Sequence, residues 1–452
     1  MARKLPLARI AVTAVLTLAC GSDVGGSEAI VPRPDADADP PGPDGGAPGA
    51  RDAAAPVLPK NIKHVVLIIQ ENHTFDSYFG AYCTAPAGSN PTCTSGPACC
   101  EAAPAKEPTG ASPIVLDDDE NAGWDPPHTY TCEFDQVNHG LMDRFVKGAE
   151  CSNPRNFAIV PPGKLPVYHD WASRFALGDR YFQPILGSSS SNDMYLAVAR
   201  FVFEDNSVKP DSIGSGCTLP AKRGKYSGVT TLPDLLIQRD LHFAAYLQGY
   251  YAMRKATLCP PAPADCPARL PTPPCTYDPS DTPYQYYEQF TDNLTYMRDY
   301  DDLAKDVAAG KLPEFVYIKA LQYRNEHPGY STKISMGVSF VKDTVDAIFS
   351  RYSDDTLILL TWDEGGGYFD HVPPPPTSKV DDKPYGTRVP ILALGKFARR
   401  NHVSHVVMEH SSIVKFVEWN FLDKTGQLKG RDAEVNGIAS LLDPTTTRLP
   451  PD

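Results

Sequence analysis

Five continuous apolar runs decide the architecture open to this chain. They lie in "NIKHVVLIIQ" at 61–70, "HFAAYLQG" at 242–249, "EFVYIKAL" at 314–321, "TLILLTW" at 356–362 and "VPILALG" at 389–395. A run with no polar face suits a strand covered on both sides, the habit of parallel sheets. Helical patterns lie between the runs. In 334–351, Val338, Val341, Val345 and Ile348 fall on one face, and "SSIVKFVEWNFL" at 411–422 reads as a further helix. The alternation predicts an α/β fold, a three-layer α/β/α sandwich around a mostly parallel central sheet, formed by residues 60–452 as one domain. The Cys/Pro-rich stretches 81–120 and 251–285 read as disulfide-stapled insertions over one edge.

Sites in open parallel sheets form beyond the carboxyl ends of the strands. The residues just after each run therefore matter most. Glu71 and Asn72 come after the first, Glu326 and His327 after the run at 314–321, and Asp363 and Glu364 after the run at 356–362. One acidic strand end is unremarkable. Three that converge call for a metal ion, whose charge relieves the repulsion between carboxylates. "LGSSSSNDMYLAVARF" at 186–201 adds a serine run ahead of a helical pattern, where backbone N–H groups and the helix dipole favour an anion. A lone serine there is more often a plain N-cap. The company of Glu71, Asn72 and Asp363 turns the reading toward a nucleophile. The triple glycine Gly365–Gly367 lets the chain turn sharply, so that Asp370 and His371 can fold back toward the same edge. Alternatively the glycines form a plain turn with a surface Asp-His pair. His128, in a Pro-rich loop, reads on its own as a surface histidine.

Residues 1–20, "MARKLPLARIAVTAVLTLAC", carry an export signal: three basic residues before a short apolar stretch. "LTLACG" resembles a lipobox, with Cys20 as the lipidated residue, although Thr17 stands where Leu is usual. Cleavage elsewhere, giving a freely secreted chain, is the other reading. From 21 to 59 the chain is rich in Pro, Asp, Ala and Gly and reads as a disordered tether. Both readings place the protein outside the cytoplasm, in the cell envelope or beyond, and the lipobox reading adds membrane contact through the N-terminal anchor. There are 11 cysteines, and setting Cys20 aside leaves an even number between 83 and 275. In an exported chain these read as disulfides. A zinc site finds no regular spacing to support it. The 55 acidic residues outnumber the 42 basic ones, for a net charge of −13, which argues against a nucleic acid as partner.

The motifs together resemble one family. "ENHTFDSYFG", "DPPH" with "GLMDRFV", "FALGDRYF", "GSSSSN", "NEHPG", "WDEGGGYFDHVPPP", "GTRVPILALG" and "VSHVVMEHSSIVKFVEWNF" occur in the order seen in the bacterial phosphoesterase family. That family includes non-hemolytic-type phospholipases C and an acid phosphatase, and belongs to the alkaline phosphatase superfamily. The resemblance spans about 60 to 422. It implies an alkaline-phosphatase-like sandwich with a divalent metal at the sheet edge, held by Glu71, Asn72, Asp363 and Glu364. It also implies Ser189 as nucleophile, with Asn192 and Asn72 toward the substrate and with His128, His327 and His371 toward the phosphate or leaving group. The chain departs from the pattern in three places. All neighbours of Ser189 are serine, so Ser188 and Ser190 stay open. Asp193 replaces the usual His or Arg and should disfavour a highly charged phosphate. His73 replaces a common Arg.

These readings lead to a metal-dependent hydrolase of phosphoric esters, with a phospholipid diester favoured as substrate and a phospho-enzyme intermediate. An acid phosphatase acting on monoesters is the close alternative. A surface lipoprotein that binds a ligand without turnover is a different class, which the serine run and Asp193 would allow. A sulfatase relative is weaker, since no Cys/Ser-x-Pro-x-Arg context surrounds Ser189.

Overall fold

A computed structural model describes residues 62–203, 226–255, 263–266 and 275–450, together with the backbone at 209–210 and 223–224. The export signal, Cys20, the tether, Cys217 and Cys259 lie outside the described residues. Eight strands form the central sheet: β1 (His64–Gln70), β2 (Ala176–Gly178), β3 (Phe243–Leu247), β4 (Met297–Asp299), β5 (Phe315–Lys319), β6 (Thr356–Trp362), β7 (Ile391–Leu394) and β8 (His402–Ser404). Their order is β8-β2-β7-β6-β1-β5-β3-β4. All run parallel except β7, which is antiparallel to both neighbours. The reason lies in its connection. Residues 363–390 between β6 and β7 contain no helix, so the chain does not cross back over the sheet before pairing. The five apolar runs became β1, β3, β5, β6 and β7. The strands β2, β4 and β8 have three residues each, too few for any period to show in a sequence.

The helices used below are α1 (Phe75–Phe79), α2 (Tyr130–Val137), α3 (Pro166–Arg174), α4 (Ser189–Val198), α5 (Leu232–Ile237), α6 (Leu303–Ala309), α7 (Ile334–Tyr352) and α8 (His410–Leu422). They fall into two packed sets: α4, α5 and α8 contact one another, and α7 contacts α3 and α6. With the sheet between them they make the three-layer α/β/α sandwich. In α7 the predicted face of Val338, Val341, Val345 and Ile348 is buried. In β1 every residue after His64 is buried, as a strand covered on both sides requires.

The insertion after α1 is stapled by Cys83–Cys100 and Cys93–Cys99. It covers the open edge of β8: the Val403 N–H donates to Thr94 O at 2.9 Å, and Ser95 bridges His402. An exposed strand edge invites pairing with other chains, and this loop closes it. Cys132–Cys151 and Cys266–Cys275 are also bonded, the first outside the two stretches expected to be stapled.

A buried ion network ties the turn after β1 to the turn after β6. Arg388, with no solvent exposure, donates from Nε to Asp370 Oδ1 at 2.8 Å and from an Nη to Asp76 Oδ1 at 3.0 Å. His371 lies beside them, with Nδ1 at 2.8 Å from Asp76 Oδ2 and Nε2 at 2.8 Å from Glu101 Oε2. Burial disfavours a charge on His371, but Asp76 outweighs burial and holds its pKa up at about 9. A raised value means that the imidazolium adds stability in full below its ordinary value of 6.5, and that this is lost as pH rises through about 9. The melting temperature should therefore fall more between these two pH values in the wild type than in His371→Gln; parallel curves would show that the network does not hold the proton. Arg388→Met leaves Asp76 and Asp370 buried without their cation and should lower unfolding stability by about 3–5 kcal/mol, read from urea midpoints.

Candidate active site

Register brings the acids together. Strands β1 and β6 are parallel neighbours with Gln70 opposite Trp362, so the chain leaves both strands side by side. Asp363 N–H donates to Gln70 O at 3.1 Å, and Asn72 N–H donates to Asp363 Oδ1 at 3.2 Å. The loop after strand β5 joins them from the other side: Glu71 N–H donates to Asn325 O at 2.7 Å, and β5 itself pairs with β1. In that strand, the last residue, Lys319, places Nζ 2.6 Å from Glu71 Oε1, with both side chains buried. The first of the two left-handed glycines, Gly366, has a steric cause. A Cβ there would lie 2.4 Å from Asn72 O, so only glycine lets the turn pass the metal-ligand candidates.

Helix α4 delivers the serine. Ser188 is its extended N-cap and Ser189 its first residue. Ser189 Oγ donates to Glu364 Oε1 at 3.2 Å. Ser190 and Ser191 are buried, while Ser188 and Ser189 are half-buried. Of the run, Ser189 is the serine whose hydroxyl is hydrogen-bonded to a strand-end acid. Helix α2 braces this turn. Gly187 (φ 102°) lies against the Tyr130 backbone, where a Cβ would come within 2.9 Å, and its N–H donates to Glu133 Oε2 at 2.7 Å.

The cluster carries more negative charge than its own cation balances. Glu71, Asp363 and Glu364 are buried, and Asp193 is buried deeper in α4. Asn72 Oδ1, Asp363 Oδ2, Glu364 Oε2 and both Asp193 oxygens accept no hydrogen bond. Burial raises the pKa of all four acids; beside Glu364, Glu133 is also raised, to about 7. Burial opposes a charge on Lys319, but Glu71 and Asp193 outweigh it and keep the ammonium charged. Unpartnered buried oxygens converging at one edge are what a divalent cation would satisfy, so the residues present fit one.

Two predicted histidines stand at the cluster. His128 Nε2 is 3.5 Å from Asn72 Nδ2, and His327 Nε2 is 3.9 Å from Glu71 Oε2. Each donates Nδ1–H to a backbone carbonyl, Pro126 O and Pro328 O, both at 2.7 Å. Burial lowers the His327 pKa to about 4. With Asp125 they offer donor atoms within 4.8 Å of one another.

Two of the expected residues do not reach this cluster. His371 does turn back across the chain, as expected, but it meets Asp76 and Glu101, and both ring nitrogens are taken up there. Asn192 is fully buried; its oxygen accepts the Ile185 N–H and its Nδ2 donates to Gly187 O and Ser188 O. Its side chain braces the turn ahead of Ser189. Other residues escaped the sequence reading. Lys319 is hidden within an apolar run, Glu133 within an ordinary amphipathic helix, and His410, whose Nε2–H donates to Asp363 O at 2.8 Å, within a motif with no local signal. Glu326, an acid placed just after a run, accepts from Tyr78, Tyr168, Gln70 and Trp362 and serves the core.

A model of the phosphoesterase family matches residues 62–422. Phospholipase C B of Mycobacterium tuberculosis is 22% identical over 84% of this chain and 77% of its own length. Non-hemolytic phospholipase C of Burkholderia pseudomallei is 23% identical over 81% of this chain and 56% of its own length, and non-specific phospholipase C3 of Arabidopsis thaliana is 24% identical over 78% and 68%. Among solved structures, a protein in the alkaline phosphatase superfamily from Vibrio parahaemolyticus is 11% identical, covers 83% of this chain and 71% of its own, and gives a TM-score of 0.36. The family match takes in every strand of the sheet and every acid of the cluster, and the chain belongs to the phosphoesterase family, hydrolases of phosphoric esters.

Proposed function

We propose that this phosphoesterase is a phosphodiesterase of the phospholipase C type, with Ser189 as nucleophile. The observation that carries the reading is the Ser189 hydroxyl, hydrogen-bonded to Glu364 at 3.2 Å, at a helix N-terminus beside buried oxygens without partners. The names of the relatives, all phospholipases C, support the substrate class. Glu71, Asn72, Asp363 and Glu364 would hold a divalent cation, which would supply positive charge for the serine oxygen and the phosphoryl group. Ser189 Oγ attacks phosphorus, its proton moves to Glu364 Oε1, and the bond to the leaving alcohol breaks. His128 gives that alkoxide a proton. Water then opens the phosphoserine: neutral His327 takes the proton of the water through Nε2, Glu364 returns the first proton to the departing Ser189 Oγ, and the His327 proton restores His128, whose ring lies 5.7 Å away. Lys319 favours a second reading. A buried ammonium at the cluster suits a dianionic monoester, which makes an acid phosphatase the alternative. Rates on p-nitrophenyl phosphate and p-nitrophenylphosphorylcholine decide between the two.

Ser189→Ala should lower turnover by roughly 10⁴–10⁶ while phosphate still binds, and Ser188→Ala and Ser190→Ala should retain most activity. Peptide mapping after a rapid quench should place phosphate on Ser189; label on a neighbouring serine would move the nucleophile along the run.

Asp363→Asn should abolish hydrolysis and lower the bound metal measured by elemental analysis, with the circular dichroism spectrum unchanged. Full activity in protein stripped of metal by a chelator would defeat the cation assignment.

A further inference from the structure

We infer that the rim of this site is a docking surface for a zwitterionic phospholipid bilayer, an inference that rests on the phospholipase reading above. Among the described residues, nine large hydrophobic side chains are exposed; Tyr130, Phe134 and Tyr330 are three of them, and a fourth, Leu141, follows Gly140, which lines the same groove as Phe134. Leu141 is 63% and Tyr330 51% exposed, values a soluble core packing does not require.

They stand on two banks. On one, Tyr330 lies against His327, with ring centroids 5.4 Å apart. On the other, Tyr130 comes closely after His128, its backbone touches Gly187, and its ring stacks on Phe134 at 5.9 Å. Phe134 also lines a groove of about 460 Å³ whose walls are Leu186 and the run Pro373–Pro376. Leu186, in that wall, directly precedes Gly187, whose turn opens helix α4. Residues 373–376 have no backbone N–H to solvate, which leaves an apolar wall. Tyr, with an apolar ring and a polar tip, suits the headgroup layer of a bilayer, and Phe and Leu suit the acyl boundary beneath. No helix of the described residues is long and apolar enough to cross a membrane.

Charge selects the kind of surface. Along 130–144 the acids are Glu133, Asp135 and Asp143 and the one strong base is Arg144, which is paired with Asp135 at 2.7 Å. Asp143 accepts from Asn138. No basic surplus is left for anionic lipid, and the chain as a whole carries −13. The 130–144 bank offers an anionic headgroup no free cation, which favours a zwitterionic one.

The test uses the full chain with Cys20→Ser, so that no acyl group at that position contributes. Co-sedimentation with phosphatidylcholine vesicles should exceed that with phosphatidylglycerol vesicles. Phe134→Ser with Leu141→Ser should lower phosphatidylcholine binding about tenfold, with hydrolysis of soluble p-nitrophenylphosphorylcholine unchanged. Equal vesicle binding by variant and parent would overturn the inference. So would stronger binding to phosphatidylglycerol, or a change in oligomeric state on gel filtration with vesicle binding unaffected. Because binding is read without turnover, a protein that binds vesicles but cleaves no diester would sink the proposed function and leave the docking surface standing.

Discussion

A guanidinium without access to water holds this site together. Arg388 joins Asp76, in helix α1 after β1, to Asp370, just past the triple glycine. Those two segments carry Glu71 and Asn72 on one side and Asp363 and Glu364 on the other. The acids of the site can converge only if both turns stay in place, and a buried pair resists separation because either half alone would be an uncompensated charge. His371 and Glu101 extend the same clamp to the stapled loop, so the covered sheet edge and the site share one anchor.

The clamp and the site make an instructive contrast. Both are built from buried acids at strand ends. In the clamp, Arg388 and His371 answer Asp76 and Asp370, and hydrogen bonds fill the geometry. In the site, Lys319 is the one strong base among the described residues paired with these acids, Glu71, Asp363, Glu364 and Asp193, and oxygens remain without donors. The two clusters differ in completeness: the fold compensates the acids of the clamp and leaves oxygens of the other cluster without partners. Asp193 belongs inside this balance. It is fully buried toward Lys319, so its charge acts on the ammonium.

The sheet and the position of the acids were legible because long apolar runs and the polar residues at their carboxyl ends are both local features. Register did the rest, since equal alignment of β1 and β6 sets Glu71 and Asn72 beside Asp363 and Glu364. The hidden part depends on side-chain direction. Nothing local says that Lys319 points at Glu71, that Glu133 props the serine turn, or that Asn192 is used up by its own loop. His371 shows the same limit. The glycine turn was readable and the return of the chain was readable, but the partner waiting at the end, Asp76, lies 295 residues away.

That separation also bears on how the chain reaches its folded state. Strand β1 is the centre of the sheet, yet its two neighbours are β5 and β6, some 250 and 290 residues later. Until both exist, "HVVLIIQ" has no partner on either side, and it is just the kind of short, uncharged, β-forming segment that pairs with its own copies. Parallel pairing across such distances is slow, because loop closure must precede any gain from contact. Production and refolding of this protein are thus a race between closing the longest loop in the sheet and aggregation through its first strand.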